Sequence, residues 1–181
     1  KIVVTNTVKT VNVVANKNWV GKTEDSVEVK LFRDNTLRAT QVISANADGL
    51  YTHTFAELPM YKVDGSTAYN YTLSETPING YETAIREVVQ AVDNGTKTFE
   101  ITNTYMTVDI KVEKNFEGVE EANRPEVKLQ LIDETDPDNK IVLANKILTL
   151  NRENNFRGVL EDLPKFKDDG TTLIKYNLVE S

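Results

Sequence analysis

Three residue types able to react with one another stand in this chain where apolar side chains are due. In an extended strand, alternate side chains point to one face. Along Val11, Val13, Ala15, Lys17 and Trp19 every member but the lysine is apolar, while Asn12, Val14, Asn16 and Asn18 form a largely polar row. Tyr69, Tyr71, Leu73 and Glu75 share a face in the same way, and so do Phe99, Ile101, Asn103 and Tyr105. A lysine, a glutamate and an asparagine are thereby aimed into one core.

An unpaired buried charge costs on the order of several kcal/mol, or is removed by a pKa shift. Desolvation lowers a lysine's pKa and raises a glutamate's, which favours a neutral amine beside a carboxylic acid. The neutral amine is a nucleophile, and an amide carbon hydrogen-bonded to an acid is an electrophile. A dry core holding them in contact supplies effective molarity and keeps water out. The expected reaction is transamidation: the lysine attacks the asparagine side chain, the glutamate shuttles protons and ammonia leaves. The alternative is a buried, hydrogen-bonded polar cluster without covalent chemistry.

The set recurs along the chain. Ile101-Thr102-Asn103-Thr104 echoes Val4-Thr5-Asn6-Thr7, and Lys114-Asn115-Phe116 echoes Lys17-Asn18-Trp19, both at an offset of 97 residues. Leu163-Pro164-Lys165-Phe166-Lys167-Asp168-Asp169-Gly170 matches Leu58-Pro59-Met60-Tyr61-Lys62-Val63-Asp64-Gly65, and Glu180 matches Glu75, at an offset of 105. The difference of eight predicts a longer loop in the Asp/Pro/Asn-rich stretch 133–139. Lys114, Glu180 and Asn6 again lie in apolar rows. The phasing predicts the last strand of a preceding repeat at 1–7, a complete repeat at 8–105, and a second repeat at 106–181 lacking its final strand. The opening strand then suits head-to-tail strand exchange with the open repeat of a neighbouring molecule.

Short alternating runs rich in Val, Thr, Tyr and Phe at 26–32, 51–55, 69–74 and 97–104 predict strands. Asp48-Gly49, Asp64-Gly65, Asn79-Gly80 and Asn94-Gly95 mark turns between them. Residues 83–92 fit a short helix or a strand. About 97 residues of antiparallel strands per copy fit an immunoglobulin-like sandwich, with a small barrel as the alternative. Of 181 residues 39% are hydrophobic and 27% charged, enough for real cores and too much for a disordered polymer. The net charge of -7 argues against nucleic acid and against anionic lipid as partners. No apolar run is long enough to insert into a membrane.

Without cysteine, disulfides and thiolate metal sites are impossible. The single histidine, His53, has Gly158 as its counterpart, so it reads as a packed residue and not as a repeated ligand. The acidic stretches 117–121 and 133–138 lack the spacing of a calcium loop. No metal or cofactor is expected, and no turnover of a diffusible substrate.

The order Lys-x-aromatic, Tyr-x-Leu-x-Glu and Ile-Thr-Asn-Thr, with the Leu-Pro-x-aromatic segment and its Asp-Gly turn, resembles the B-type repeats of the staphylococcal collagen adhesin (Cna-B domains). The resemblance implies an all-β chain of tandem inverse immunoglobulin-like sandwiches, with a self-formed Lys–Asn isopeptide bond in the complete repeat. It makes Lys17 the amine, Asn103 the amide and Glu75 the proton shuttle. Lys114 and Glu180 are their counterparts in the second repeat, and Asn6 belongs to an upstream one. It further implies a structural stalk or spacer in a cell-wall-anchored surface adhesin of a Gram-positive bacterium. Its partners would be neighbouring repeats and, through other domains, a host extracellular-matrix protein. A host-ligand-binding adhesin module and a pilin shaft or ancillary domain are the alternatives.

Overall fold

Alternating side chains broken by turns give strands throughout the residues that the computed structural model describes, which are 2–4, 7–89 and 95–180. The chain divides into two units, 1–105 and 106–181. The first contains β1 (Thr10–Val20), β2 (Ser26–Arg33), β3 (Thr36–Ser44), β4 (Tyr51–Pro59), β5 (Tyr71–Glu75), β6 (Tyr81–Val88) and β7 (Thr96–Tyr105). They form two sheets, β4-β1-β7-β6 and β3-β2-β5. Residues 83–88, open between helix and strand in the sequence, belong to β6; 90–94 lie outside the described residues.

Neighbouring strands are antiparallel, with one exception that corrects the expectation of a fully antiparallel repeat. β1 and β7 run parallel, from Asn12 opposite Thr96 to Val20 opposite Thr104. Dividing seven strands over two sheets brings the unit's first and last strands into the same sheet in the same direction. Val13, Ala15, Val29, Leu31, Tyr71, Leu73, Phe99 and Ile101 from both sheets fill one buried core. This is an immunoglobulin-like sandwich, with the alternation along β1 matching the inward and outward rows of the sequence.

The second unit contains β8 (Thr107–Glu113), β9 (Val127–Asp133), β10 (Ile141–Leu150), β11 (Arg157–Pro164) and β12 (Tyr176–Glu180), arranged as β10-β9-β12 and β11-β8. Among the described residues no strand pairs with the far edge of β8, the position that β7 takes beside β1. Val127, Leu129, Leu150 and Phe156 form one buried cluster, and Leu131, Leu160 and Leu163 another.

Local devices recur with the sequence. Asn12 Oδ1 accepts from the Glu57 N–H at a bulge where Glu57 has φ +53°, and Asp109 Oδ1 accepts from Asp162, at φ +54°. Tyr71 donates to the Pro59 carbonyl at 2.8 Å, and Tyr176 to that of Pro164 at 2.7 Å. The extra residues of the second unit are more dispersed than the sequence suggested. Val27 and Val127, matching positions at the start of their hairpins, stand 100 apart, while their partners Ile43 and Leu150 stand 107 apart. Three residues therefore enter before β9, where a single 3-10 turn forms at Glu121–Asn123, five in the turn between β9 and β10, and two at the register shift inside β10. Two are lost again before β11. In the first unit the same hairpin turns on Asp34 and Asn35 alone, both at positive φ, as a two-residue turn requires.

The repeated Asp-Gly turns at Asp64-Gly65 and Asp169-Gly170 are tied by their aspartate. Asp64 Oδ1 accepts from the N–H groups of Ser66 and Thr67, and Asp169 Oδ1 from those of Thr171 and Thr172. Hydrogen bonds from Thr67 and Thr172 pull each carboxyl from its ordinary 3.8 to about 2. A depressed carboxyl stabilises the fold above its unfolded pKa, and that contribution fades as pH falls toward the folded value. Both turns are therefore expected to hold at pH 4 and to loosen as pH approaches 2. Carbon-detected titration of the two carboxyls checks this; midpoints near 4 would show the turns untied.

Candidate functional site

Three buried side chains converge at one end of the first unit's core. Lys17 comes from β1 and Asn103 from β7, adjacent parallel strands in which Lys17 faces Ile101 and Trp19 faces Asn103. The two are diagonal neighbours on the inward face, within reach of a lysine's long stem. Glu75, the last residue of β5, enters from the opposite sheet. Lys17 is 4% exposed and Asn103 0%, and the Glu75 side chain is 1% exposed.

The carboxylate touches both of the other groups. Asn103 Nδ2 donates to Glu75 Oε1 at 2.5 Å, and Lys17 Nζ lies 3.3 Å from Oε2. The second contact is electrostatic, since neither Nζ nor Oε2 completes a hydrogen bond, and Asn103 Oδ1 likewise has no partner among the described residues. Burial pushes the Lys17 amine below its ordinary 10.5, outweighing the opposing pull of the Glu75 charge. An amine whose charge burial disfavours, a carboxylate in contact with it and an amide carbon are in one dry site. The arrangement suits acyl transfer from the amide to the amine.

Comparison with known proteins adds the lineage. The family model of the Cna protein B-type domain matches residues 9–104, more than half of the chain and all three of these side chains.

The chain belongs to the Cna protein B-type domain family.

Among solved structures, two B repeat units (B1B2) of the collagen binding protein Cna of Staphylococcus aureus align with 93% of this chain and 44% of their own, at 24% identity and a TM-score of 0.45. The single B1 unit of that protein aligns over 94% of this chain and 85% of its own, at 22% identity and a TM-score of 0.41. The shaft pilin spaA of Lactobacillus rhamnosus GG aligns over 95% and 87%, at 17% identity and a TM-score of 0.35. The chain spans less than half the length of the first of these. No curated protein matches it.

Among the described residues, the second unit of this Cna B-type chain sets the lysine and glutamate counterparts side by side. Lys114 Nζ donates to Glu180 Oε2 at 2.7 Å, but the side chains are 31% and 54% exposed. The sequence aimed both into a core. Among the described residues no strand lies at the β7 position beside β8. Asn6 lies outside the described residues. A solvent-exposed ion pair contributes little, so Glu180→Gln is expected to change unfolding free energy by under about 1 kcal/mol in denaturant titration. A loss several times larger would mean that the pair is covered in solution.

His53 is half-buried and meets Phe55 edge-on at 4.7 Å. A Cβ on its counterpart Gly158 would stand 2.7 Å from Leu148 Cδ1, so Leu148 would have to shift to admit a side chain there. Sequence reasoning overlooked Tyr51 and Tyr81, whose rings meet Trp19 edge-on at 6.0 and 5.5 Å beside the amine. Tyr51 was findable: it stands directly opposite Lys17, and Phe156, the matching residue 105 positions on, is also aromatic.

Proposed function

We propose that this chain is a structural stalk or spacer segment of an extracellular, cell-wall-anchored adhesin of a Gram-positive bacterium, and that its complete unit is locked by a self-formed amide between Lys17 and Asn103. The observation that carries the reading is the convergence of three fully buried groups, with Glu75 in contact with both reactants. Family membership supports the same assignment.

The reaction balances within the chain. Lys17 passes a proton to Glu75, and the free amine attacks Cγ of Asn103. The protonated Glu75 supports the developing oxyanion, once the amide presents its oxygen to it, and then delivers the proton to the departing nitrogen. The Nζ–Cγ bond forms and the Cγ–Nδ2 bond breaks, while Glu75 carries the second proton of the attacking nitrogen to the leaving ammonia, which departs as ammonium. Glu75 ends as it began, but the lysine and asparagine are consumed, so the event is single-turnover and takes no diffusible substrate. Its partners are neighbouring repeats of the same protein, with any host-matrix ligand bound by other domains.

Intact mass in denaturant followed by peptide mapping tests this. A deficit of one ammonia, mapped to a branched peptide joining Lys17 to Asn103, supports the cross-linked stalk. The full mass would reduce the trio to a polar cluster and bring forward a ligand-binding module.

A further inference from the structure

In both units one aromatic ring lies beside the site lysine's amine and a second ring packs edge-on against that ring. In the first, Trp19 follows Lys17 by two residues on the inward face, and its ring centre lies 4.2 Å from Nζ. Tyr51, paired with Lys17 across β1 and β4, meets Trp19 edge-on. In the second, Phe116 follows Lys114 by two residues at 5.7 Å from its Nζ and meets Phe156 edge-on at 4.9 Å. The Phe156 carbonyl accepts from the Lys114 N–H, so that ring too comes from the segment opposite the lysine.

Filling a core requires only apolar bulk, which leucine or valine supplies. An aromatic face adds negative potential toward an ammonium. Lys17 Nζ has the indole on one side, Glu75 Oε2 at 3.3 Å on another, and no completed hydrogen bond among the described residues. The ring therefore supplies a placement that hydrogen bonds do not. Trp19 Nε1 is itself buried without a partner there, so the indole is not oriented by its own polar atom.

The geometry points to Trp19 as a positioning residue for cross-link formation, its indole face holding the Lys17 ammonium against Glu75 until the proton is passed on. This rests on the cross-link reading above. The reactive pair shares one proton between Lys17 and Glu75, and losing it leaves no acid to assist the amide, so the rate falls at high pH. The indole favours the proton-holding form and keeps that fall at higher pH. Other titratable groups face the site. Tyr51 on β4 donates to the Glu24 carbonyl, and Tyr81 on β6 donates to the Glu24 carboxylate, which also pairs with Lys22. His53 stands further along β4, while Asn103 and Ile101 on β7 do not titrate. All of these are common to the variants compared, so a shift between variants reports the ring at 19.

The test follows ammonia loss by mass after the full chain, recovered unreacted in denaturant, is diluted into buffers of graded pH. Trp19→Leu is expected to react about tenfold more slowly, with the alkaline fall in rate about one pH unit lower. Trp19→Phe, which installs the residue found at 116, is expected to move the fall in the same direction by less. A slower Trp19→Leu with an unmoved alkaline limb overturns the proposal, because lost packing alone slows the reaction equally at every pH. If the leucine variant does not fold, Trp19→Phe decides: an unmoved limb there overturns it. A wild-type chain that never loses ammonia sinks the cross-link itself; one that reacts beside variants with unmoved limbs sinks only the role of Trp19.

Discussion

Glu75→Gln is expected to leave the chain at full mass and to lower the melting temperature of the first unit by roughly 20–30 °C. Glutamine keeps the shape of the side chain and can still accept from Asn103, but it cannot take a proton from Lys17 or give one to the departing nitrogen. Lys17 and Asn103 stand 86 residues apart. Closing a loop of that size covalently stabilises by about 4–5 kcal/mol through the unfolded state. For a domain of about 100 residues each kcal/mol is worth some 4–8 °C. Calorimetry beside intact mass measures both effects, and a variant that melts with the wild type would show that no cross-link existed to lose.

The variant also acquires a pH signature. Its Lys17 remains an amine whose pKa burial holds below 10.5, now without the opposing pull of Glu75. Between that lowered value and 10.5 the unfolded chain binds the extra proton, so stability rises with pH across the window. The cross-linked chain has an amide there and lacks this slope. The comparison belongs below pH 10, because burial raises the Tyr71 and Tyr81 phenols above that value.

The rows of alternating residues told where Lys17, Glu75 and Asn103 would point because strand parity depends only on the local backbone. They could not tell which strands lie side by side. The parallel pairing of β1 with β7 joins segments more than 80 residues apart, and nothing local in either strand records it. The bulge held by Asn12 escaped notice for a related reason, since its other half, Glu57, comes from a different strand. Residue spacing gave the total insertion in the second unit but not its division, because the loss before β11 cancels part of the gain before and within β10. The exposure of Lys114 and Glu180 follows from what covers them, and parity does not carry that information.

The parallel pairing sets how the first unit answers force, and here the expected effect is largest. A pull applied at the two ends of the unit enters through the start of β1 and leaves through the end of β7. Parallel neighbours loaded this way are sheared along their whole shared length, from Asn12 to Val20, and not unzipped bond by bond. A Lys17–Asn103 amide shortens the route further, since tension passes from β1 to β7 through one covalent link and never reaches the residues between. In single-molecule stretching the wild-type unit is therefore expected to give no release of the 17–103 segment at any force below rupture of the backbone itself. Glu75→Gln, lacking the link, should release those 86 residues in one step of about 300 Å, at up to ~3.5 Å per residue. A wild-type trace showing the same step would mean that force passes through hydrogen bonds alone. A spacer that extends under load cannot hold whatever it carries at a fixed distance, and under the proposed cross-link the buried trio is the part of this sequence that prevents extension.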